Sequence, residues 1–156
     1  MTSTIYWVQV LVLLAGTVFS WMTVVLDFTR FYKVEGTLLK VDNCLYPNPV
    51  ATACFYGAIA FAIAFVWAIV IALRQVEERK KEEKKLFYLL VSGTIFACSN
   101  FGILLYRFYT ALPGEGVGCS GVPATTPFAT ACFYGSVLFA TALIVSIIAL
   151  RWDAKK

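Results

Sequence analysis

The stretch Pro49-Val-Ala-Thr-Ala-Cys-Phe-Tyr-Gly57 recurs as Pro127-Phe-Ala-Thr-Ala-Cys-Phe-Tyr-Gly135, with a difference only at the second residue. Two further blocks repeat at nearly the same offset: Gly16-Thr-Val-Phe19 returns as Gly93-Thr-Ile-Phe96, and Arg30-Phe-Tyr32 returns as Arg107-Phe-Tyr109. Self-similarity at a fixed period marks repeated structural units. The sequence therefore predicts two copies of one hairpin in tandem.

The composition indicates that this fold is embedded in lipid. Hydrophobic residues make up 60% of the chain and charged residues 14%, whereas charged residues make up about 25% of soluble domains. Four apolar stretches, at about 5–26, 52–73, 86–106 and 130–150, each reach the roughly 20 residues that a helix needs to cross a bilayer. None shows the alternation of a transmembrane barrel. We therefore expect an all-α membrane protein, a four-transmembrane-helix bundle.

The repeats and the charges predict the domain organisation and the topology. The first hairpin repeat occupies residues 1–78, residues 79–85 belong to a charged linker, and the second repeat occupies 86–156. Six basic residues lie between Arg74 and Lys85 and three between Arg151 and Lys156, whereas basic and acidic residues balance in the other two connections. The positive-inside rule then places both termini in the cytoplasm and the cysteine-bearing loops on the periplasmic, extracellular or lumenal side. The two repeats are parallel, and the charged linker is expected to continue the second helix before the chain reverses.

Small residues at four-residue spacing predict close helix packing. They are Gly16 and Ser20 in the first span, Ala60, Ala64, Ala68 and Ala72 in the second, and Gly93 and Ala97 in the third. Two interpretations stay open for the alanine stripe. It packs inside one bundle, or it faces another membrane protein.

Few polar residues fall within the spans. The chain has no histidine, which excludes bis-histidine haem and metal sites built from imidazole, and no metal site is predicted. Asp27 precedes Arg30 by one helical turn, so the two are expected to pair. Asn100 is expected to hydrogen-bond across helices. The repeated Arg30 and Arg107 are expected to extend toward the outer lipid headgroups or to brace the loops.

Four of the five cysteines fall on the predicted outer side, and Cys98 lies within a span, where a buried apolar role is expected. Even numbers of cysteines on an oxidising side of a membrane indicate disulfides. Four cysteines allow three connectivities. The duplication favours Cys44–Cys54 and Cys119–Cys132, because an ancestral single hairpin would have closed its own loop.

A competing interpretation makes Cys54 and Cys132 reactive, since the first turn of a helix stabilises a thiolate. Four short helices with a cysteine pair in each outer loop resemble the membrane thiol oxidases of the DsbB and vitamin K epoxide reductase type. The resemblance covers topology, and it implies electron transfer from protein thiols to a quinone cofactor. Those families carry a Cys-x-x-Cys pair that this chain lacks, so no catalytic residue is transferred from them.

The remaining residues of the repeated motif have structural and functional interpretations. Phe55, Tyr56, Phe133 and Tyr134 suit an outer aromatic belt or, alternatively, the lining of a quinone or lipid pocket. Gly57 and Gly135 are expected to allow close helix contact. Pro49 and Pro127 predict turns that lead into the following helices.

The sequence predicts a structural or accessory subunit that packs against other membrane proteins or against itself in the lipid bilayer, without enzymatic activity or cofactor. The first alternative is a membrane thiol–disulfide oxidoreductase that uses a quinone. A second alternative is an oligomeric pore or transporter. Nothing in the charge distribution indicates nucleic-acid binding.

Overall fold

A computed structural model of the chain describes residues 2–40, 48–110 and 125–153. These residues form four α-helices: α1 Thr2–Glu35, α2 Ala53–Leu73, α3 Val76–Thr110 and α4 Ala131–Asp153. Each helix is long and apolar enough to cross a membrane. The predicted all-helical fold with four spans is confirmed.

The four helices form a ring. α1 packs along α2 and α3 packs along α4, and the ring closes through contacts of α1 with α4 and of α2 with α3. α2 and α4 also touch across the centre. The buried core lies where the helices meet and includes Leu13, Phe61, Leu90 and Phe139.

The repeated motif forms the start of α2 and of α4. Short 3₁₀-helices, Pro49–Ala51 and Pro127–Ala129, precede them. The Thr52 hydroxyl donates a hydrogen bond to the Pro49 carbonyl at 2.7 Å and accepts one from the Phe55 N–H at 3.3 Å, so Thr52 caps α2. Thr130 likewise donates to the Pro127 carbonyl at 2.6 Å. The turns predicted at the two prolines are confirmed.

The charged run that follows α2 belongs to α3, which corrects the prediction that it extends the second helix. α2 ends at Leu73, and the chain reverses at Arg74 and Gln75. Arg79 of α3 donates hydrogen bonds to the carbonyls of Arg74 at 2.6 Å and Ala72 at 3.1 Å. These bonds satisfy carbonyl groups that a helix end leaves without partners.

α1 and α3 are longer than their apolar stretches predicted. They contain 34 and 35 residues, which corresponds to about 50 Å at 1.5 Å per residue, against about 30 Å for the hydrocarbon core. α1 ends where Gly36 adopts a left-handed conformation, with φ of 71°, and its N–H donates to the Tyr32 carbonyl at 2.9 Å. Both helices therefore extend beyond the length needed to span a bilayer.

Two glycines make the closest helix contacts. A side-chain carbon placed at Gly16 would overlap the Phe61 ring, and one placed at Gly93 would overlap the Phe139 ring. The two rings stack on each other with centroids 3.9 Å apart and an interplanar angle of 27°. The packing predicted at Gly16 and Gly93 is therefore seen in the structure.

The alanine stripe of α2 lies inside the bundle. Ala64, Ala68 and Ala72 are buried and Ala60 is half-buried. Their small side chains let the neighbouring helices approach closely. The interpretation that this stripe faces another protein is therefore wrong.

Candidate functional site

A cavity of about 50 Å³ lies between the four helices, beside the first turns of α2 and α4. Its lining residues occupy corresponding positions of the two sequence copies. The pairs are Phe19 and Phe96, Ser20 and Ala97, Thr23 and Asn100, Ala53 and Ala131, Cys54 and Cys132, Gly57 and Gly135, and Phe61 and Phe139. The cavity thus lies between the two halves of the bundle, toward the end where α2 and α4 begin.

The paired lining residues differ in type only at two positions, where Ala97 corresponds to Ser20 and Asn100 corresponds to Thr23. Asn100 donates a hydrogen bond to the Phe96 carbonyl at 2.8 Å, one turn earlier in α3. The bond across helices that was predicted for Asn100 is wrong, because the short amide side chain reaches a carbonyl of its own helix. Ser20 and Thr23 also donate to carbonyls of their own helix. These local bonds satisfy polar groups in an otherwise apolar interior.

The cysteines at the start of α2 and α4 both line this cavity, but their sulfur atoms differ in state. Cys54 is a half-buried free thiol, in contrast to the disulfide predicted there. Cys132 is not a free thiol. Cys44 and Cys119 lie outside the described residues. Cys98 is free and exposed on the outward face of α3, so the buried role predicted for it is wrong.

None of the four aromatic residues of the motif lines the cavity, and its two phenylalanines pack against neighbouring helices. Phe55 lies 6.4 Å from Phe28, and Phe133 lies 5.3 Å from Phe101, measured between ring centroids. Tyr56 and Tyr134 are about half exposed. This arrangement favours the aromatic belt over the pocket lining.

Gly57 and Gly135 border the cavity. A side-chain carbon at either position would meet no atom within 4 Å. The close helix contact predicted at these two glycines is therefore wrong. Their missing side chains contribute to the empty space beside Cys54 and Cys132.

The predicted pair of Asp27 and Arg30 is present near the C-terminal end of α1. An Arg30 guanidinium nitrogen lies 3.8 Å from an Asp27 carboxylate oxygen, and the Asp27 side chain is almost fully buried. Asp27 follows the cavity residue Thr23 by one turn, whereas Leu104 stands at the corresponding position of α3. Arg107 is exposed.

A second polar cluster lies near the α2–α3 turn and was missed by the sequence reasoning. Glu83 of α3 is fully buried. Gln9 of α1 donates a hydrogen bond to a Glu83 carboxylate oxygen at 2.9 Å, and Ser146 of α4 donates to the same oxygen at 2.5 Å. The sequence contained a signal for the burial of Glu83, because its spacing places Glu83 on the same helix face as Leu86 and Leu90. Both leucines are buried in the structure. The cluster joins three helices.

The stacked rings separate the two polar regions. Along α4, Phe139 lies between the cavity residue Cys132 and the cluster residue Ser146. The apolar residues Ala142 and Ala64 are also buried in this central layer. Within the described residues, no group of three or more cysteine or acidic side chains could hold a metal ion.

The four helices are those of a multi-pass membrane protein by length and composition. No known protein family, curated protein or solved structure matches the chain.

Proposed function

We propose that this chain is a structural or accessory subunit that packs against other membrane proteins. The observation that carries the proposal is the tightly packed interior, in which the Phe61 ring lies against Gly16 and the Phe139 ring lies against Gly93. The remaining cavity of about 50 Å³ is a third of the roughly 150 Å³ that accommodates benzene in an engineered apolar cavity. This small volume argues against a bound quinone ring, and the stacked rings argue against a polar path through the single chain.

Because the interior is mostly filled by packed side chains, the outer surfaces remain available for function. α1 and α3 are each about 50 Å long, so their ends extend past the hydrocarbon core. Along the bilayer, α1 presents large apolar side chains such as Leu11, Met22 and Val25, all more than half exposed. Apolar faces and protruding helix ends together suit contacts with neighbouring membrane proteins.

The proposed arrangement comprises two parallel hairpin repeats with both termini in the cytoplasm. The excess of basic residues at the α2–α3 turn and at the end of the chain supports this orientation. The bonded state of the Cys132 sulfur supports a disulfide at the start of α4, and the partner that we propose is Cys119, the nearest cysteine in the sequence. Closing a loop of about 13 residues in this way contributes roughly 3 kcal/mol in the chain-entropy picture.

The proposal is tested by extracting the tagged full-length chain with its surrounding lipid into polymer nanodiscs and measuring the mass of the particle. We expect the chain to be recovered with another membrane protein, or with further copies of itself, at a fixed ratio. The ratio should persist in a Cys98→Ser variant, which changes an exposed thiol outside the cavity. Recovery as a lone chain from its native membrane contradicts the proposal.

Thiol–disulfide exchange is a second candidate function, because the free thiol of Cys54 lines the same cavity as Cys132. In such an exchange, the Cys54 thiolate attacks a disulfide of a partner protein. A bond forms between the two sulfur atoms, the partner's S–S bond breaks, and the displaced sulfur leaves as a thiolate that takes up a proton. The partner's disulfide is the oxidant, so this step requires no quinone.

The second candidate is tested with a pair of serine variants. Under exchange, Cys54→Ser abolishes the reduction of a disulfide-linked fluorescent peptide by the purified chain, whereas Cys98→Ser retains it. The structural proposal expects both variants to match the parent chain. A loss that is confined to Cys54→Ser would transfer the assignment to thiol–disulfide exchange.

A further inference from the structure

Three acidic residues in the first turns of α3 are paired or buried. Glu78 accepts a hydrogen bond from Arg74 at 2.7 Å, and Glu82 accepts one from Lys85 at 2.8 Å. Glu83 is fully buried against Gln9 and Ser146. The carboxylates of Glu78 and Glu82 therefore pair with basic neighbours, and the carboxylate of Glu83 lies inside the bundle.

Three lysines of the same turns remain exposed. Lys80, Lys81 and Lys84 form no ion pair with any part of the chain that the structure describes. Lys84 lies four residues after Lys80 and three after Lys81, so the three side chains share one face of α3. We call this face the lysine ridge. Glu78, Glu82 and Glu83 do not pair with these three lysines, because they have the other partners given above.

Tryptophan side chains place the lysine ridge at the membrane–water interface. The Trp67 indole N–H donates a hydrogen bond to Glu82 at 3.2 Å, so the indole lies level with the ridge. Trp7, near the start of α1, and Trp152, near the end of α4, are about half exposed at the same end of the bundle. Tryptophan is enriched at the headgroup level of membranes. The buried residue Leu86 follows the ridge and begins the apolar part of α3.

We propose that the lysine ridge binds the anionic headgroups of membrane phospholipids, such as phosphatidylglycerol. Exposed lysines at the headgroup level attract anionic lipid with a contribution of about 1 kcal/mol each, or about five-fold in affinity. The sequence alone argues against such a surface, because four glutamates interrupt the basic residues. The structure removes this objection for Glu78, Glu82 and Glu83. The inference is independent of the structural or accessory function.

The test uses the purified full-length chain in a neutral detergent. Short-chain phosphatidylglycerol or phosphatidylcholine is titrated in, and bound lipid is counted by native mass spectrometry. We expect tighter binding of phosphatidylglycerol, which a variant combining Lys80→Gln, Lys81→Gln and Lys84→Gln weakens by about a hundred-fold. Lys33→Gln, which changes an exposed lysine at the opposite end of the bundle, should bind like the parent chain.

A second variant separates loss of charge from loss of fold. Lys80→Arg, Lys81→Arg and Lys84→Arg together keep the charge and should retain the preference for phosphatidylglycerol. Equal affinity of the parent chain for the two lipids overturns the proposal, as does an unchanged preference in the glutamine variant. Displacement of the lipid by inorganic phosphate at equal concentration would also overturn it, because the ridge would then recognise a free anion.

Discussion

At the scale of single residues, the glycines of this bundle occupy two different environments. Gly16 and Gly93 are places where a ring from the neighbouring helix occupies the space of a side chain. Gly57 and Gly135 are places where that space stays empty and borders the cavity. Spacing in the sequence predicts small residues at helix contacts, but it does not distinguish these cases. The difference depends on where the large ring of the facing helix lies.

Alanine substitutions should separate the two kinds of glycine. Gly16→Ala places a methyl group into the Phe61 ring, which is stacked on Phe139 and has little room to move. We expect it to lower the free energy of unfolding by about 1–3 kcal/mol. Gly57→Ala is the control and should raise it by about 0.5–1 kcal/mol, because alanine favours the helix and meets no neighbour. Denaturation in detergent, followed by circular dichroism, measures both. Equal effects would contradict the glycine contact.

At the scale of the helices, apolar length predicted where the spans lie but not where the helices end. α3 begins ten residues before the apolar stretch at 86–106, because Arg79 binds the end of α2 and Glu83 is held inside the bundle. A run of alternating charges is typical of a solvated segment, so a buried carboxylate within it is hard to detect. The helix face shared by Glu83, Leu86 and Leu90 indicated that Glu83 is buried. Its partners Gln9 and Ser146 could not be predicted, because they lie far away in the sequence.

The Glu83 cluster should stabilise the contact of three helices. Glu83→Ala leaves the Gln9 amide and the Ser146 hydroxyl without their acceptor, and each buried donor left in this way costs about 1–3 kcal/mol. The control is Glu78→Ala in the same charged run, where an exposed pair with Arg74 contributes about 1 kcal/mol at most. Thermal unfolding in detergent compares the two variants. A Glu83→Ala variant as stable as Glu78→Ala would show that the cluster contributes nothing to the bundle.

At the scale of the whole molecule, the residues around the cavity come from corresponding positions of the two sequence copies. Each lining residue from one copy has its counterpart from the other, and Cys54 and Cys132 occupy one such pair of positions. The equivalence of positions predicted two identical disulfides, yet the two sulfur atoms differ in state. The repeat in the sequence indicates that Cys54 and Cys132 occupy equivalent positions. It does not determine covalent state, because that also depends on loop conformation and redox environment.

The basic residues at the α2–α3 turn predict the orientation of the bundle in the membrane. Single cysteines are introduced at Gln75, in that turn, and at Thr37, just beyond α1, in a background that carries Cys54→Ser and Cys98→Ser. We expect an impermeant maleimide to label Thr37→Cys in intact cells and Gln75→Cys only after permeabilisation, because basic connections are retained in the cytoplasm. The unmodified background reports labelling of other cysteines. Labelling of Gln75→Cys from outside would reverse the orientation and place the lysine ridge against the outer leaflet.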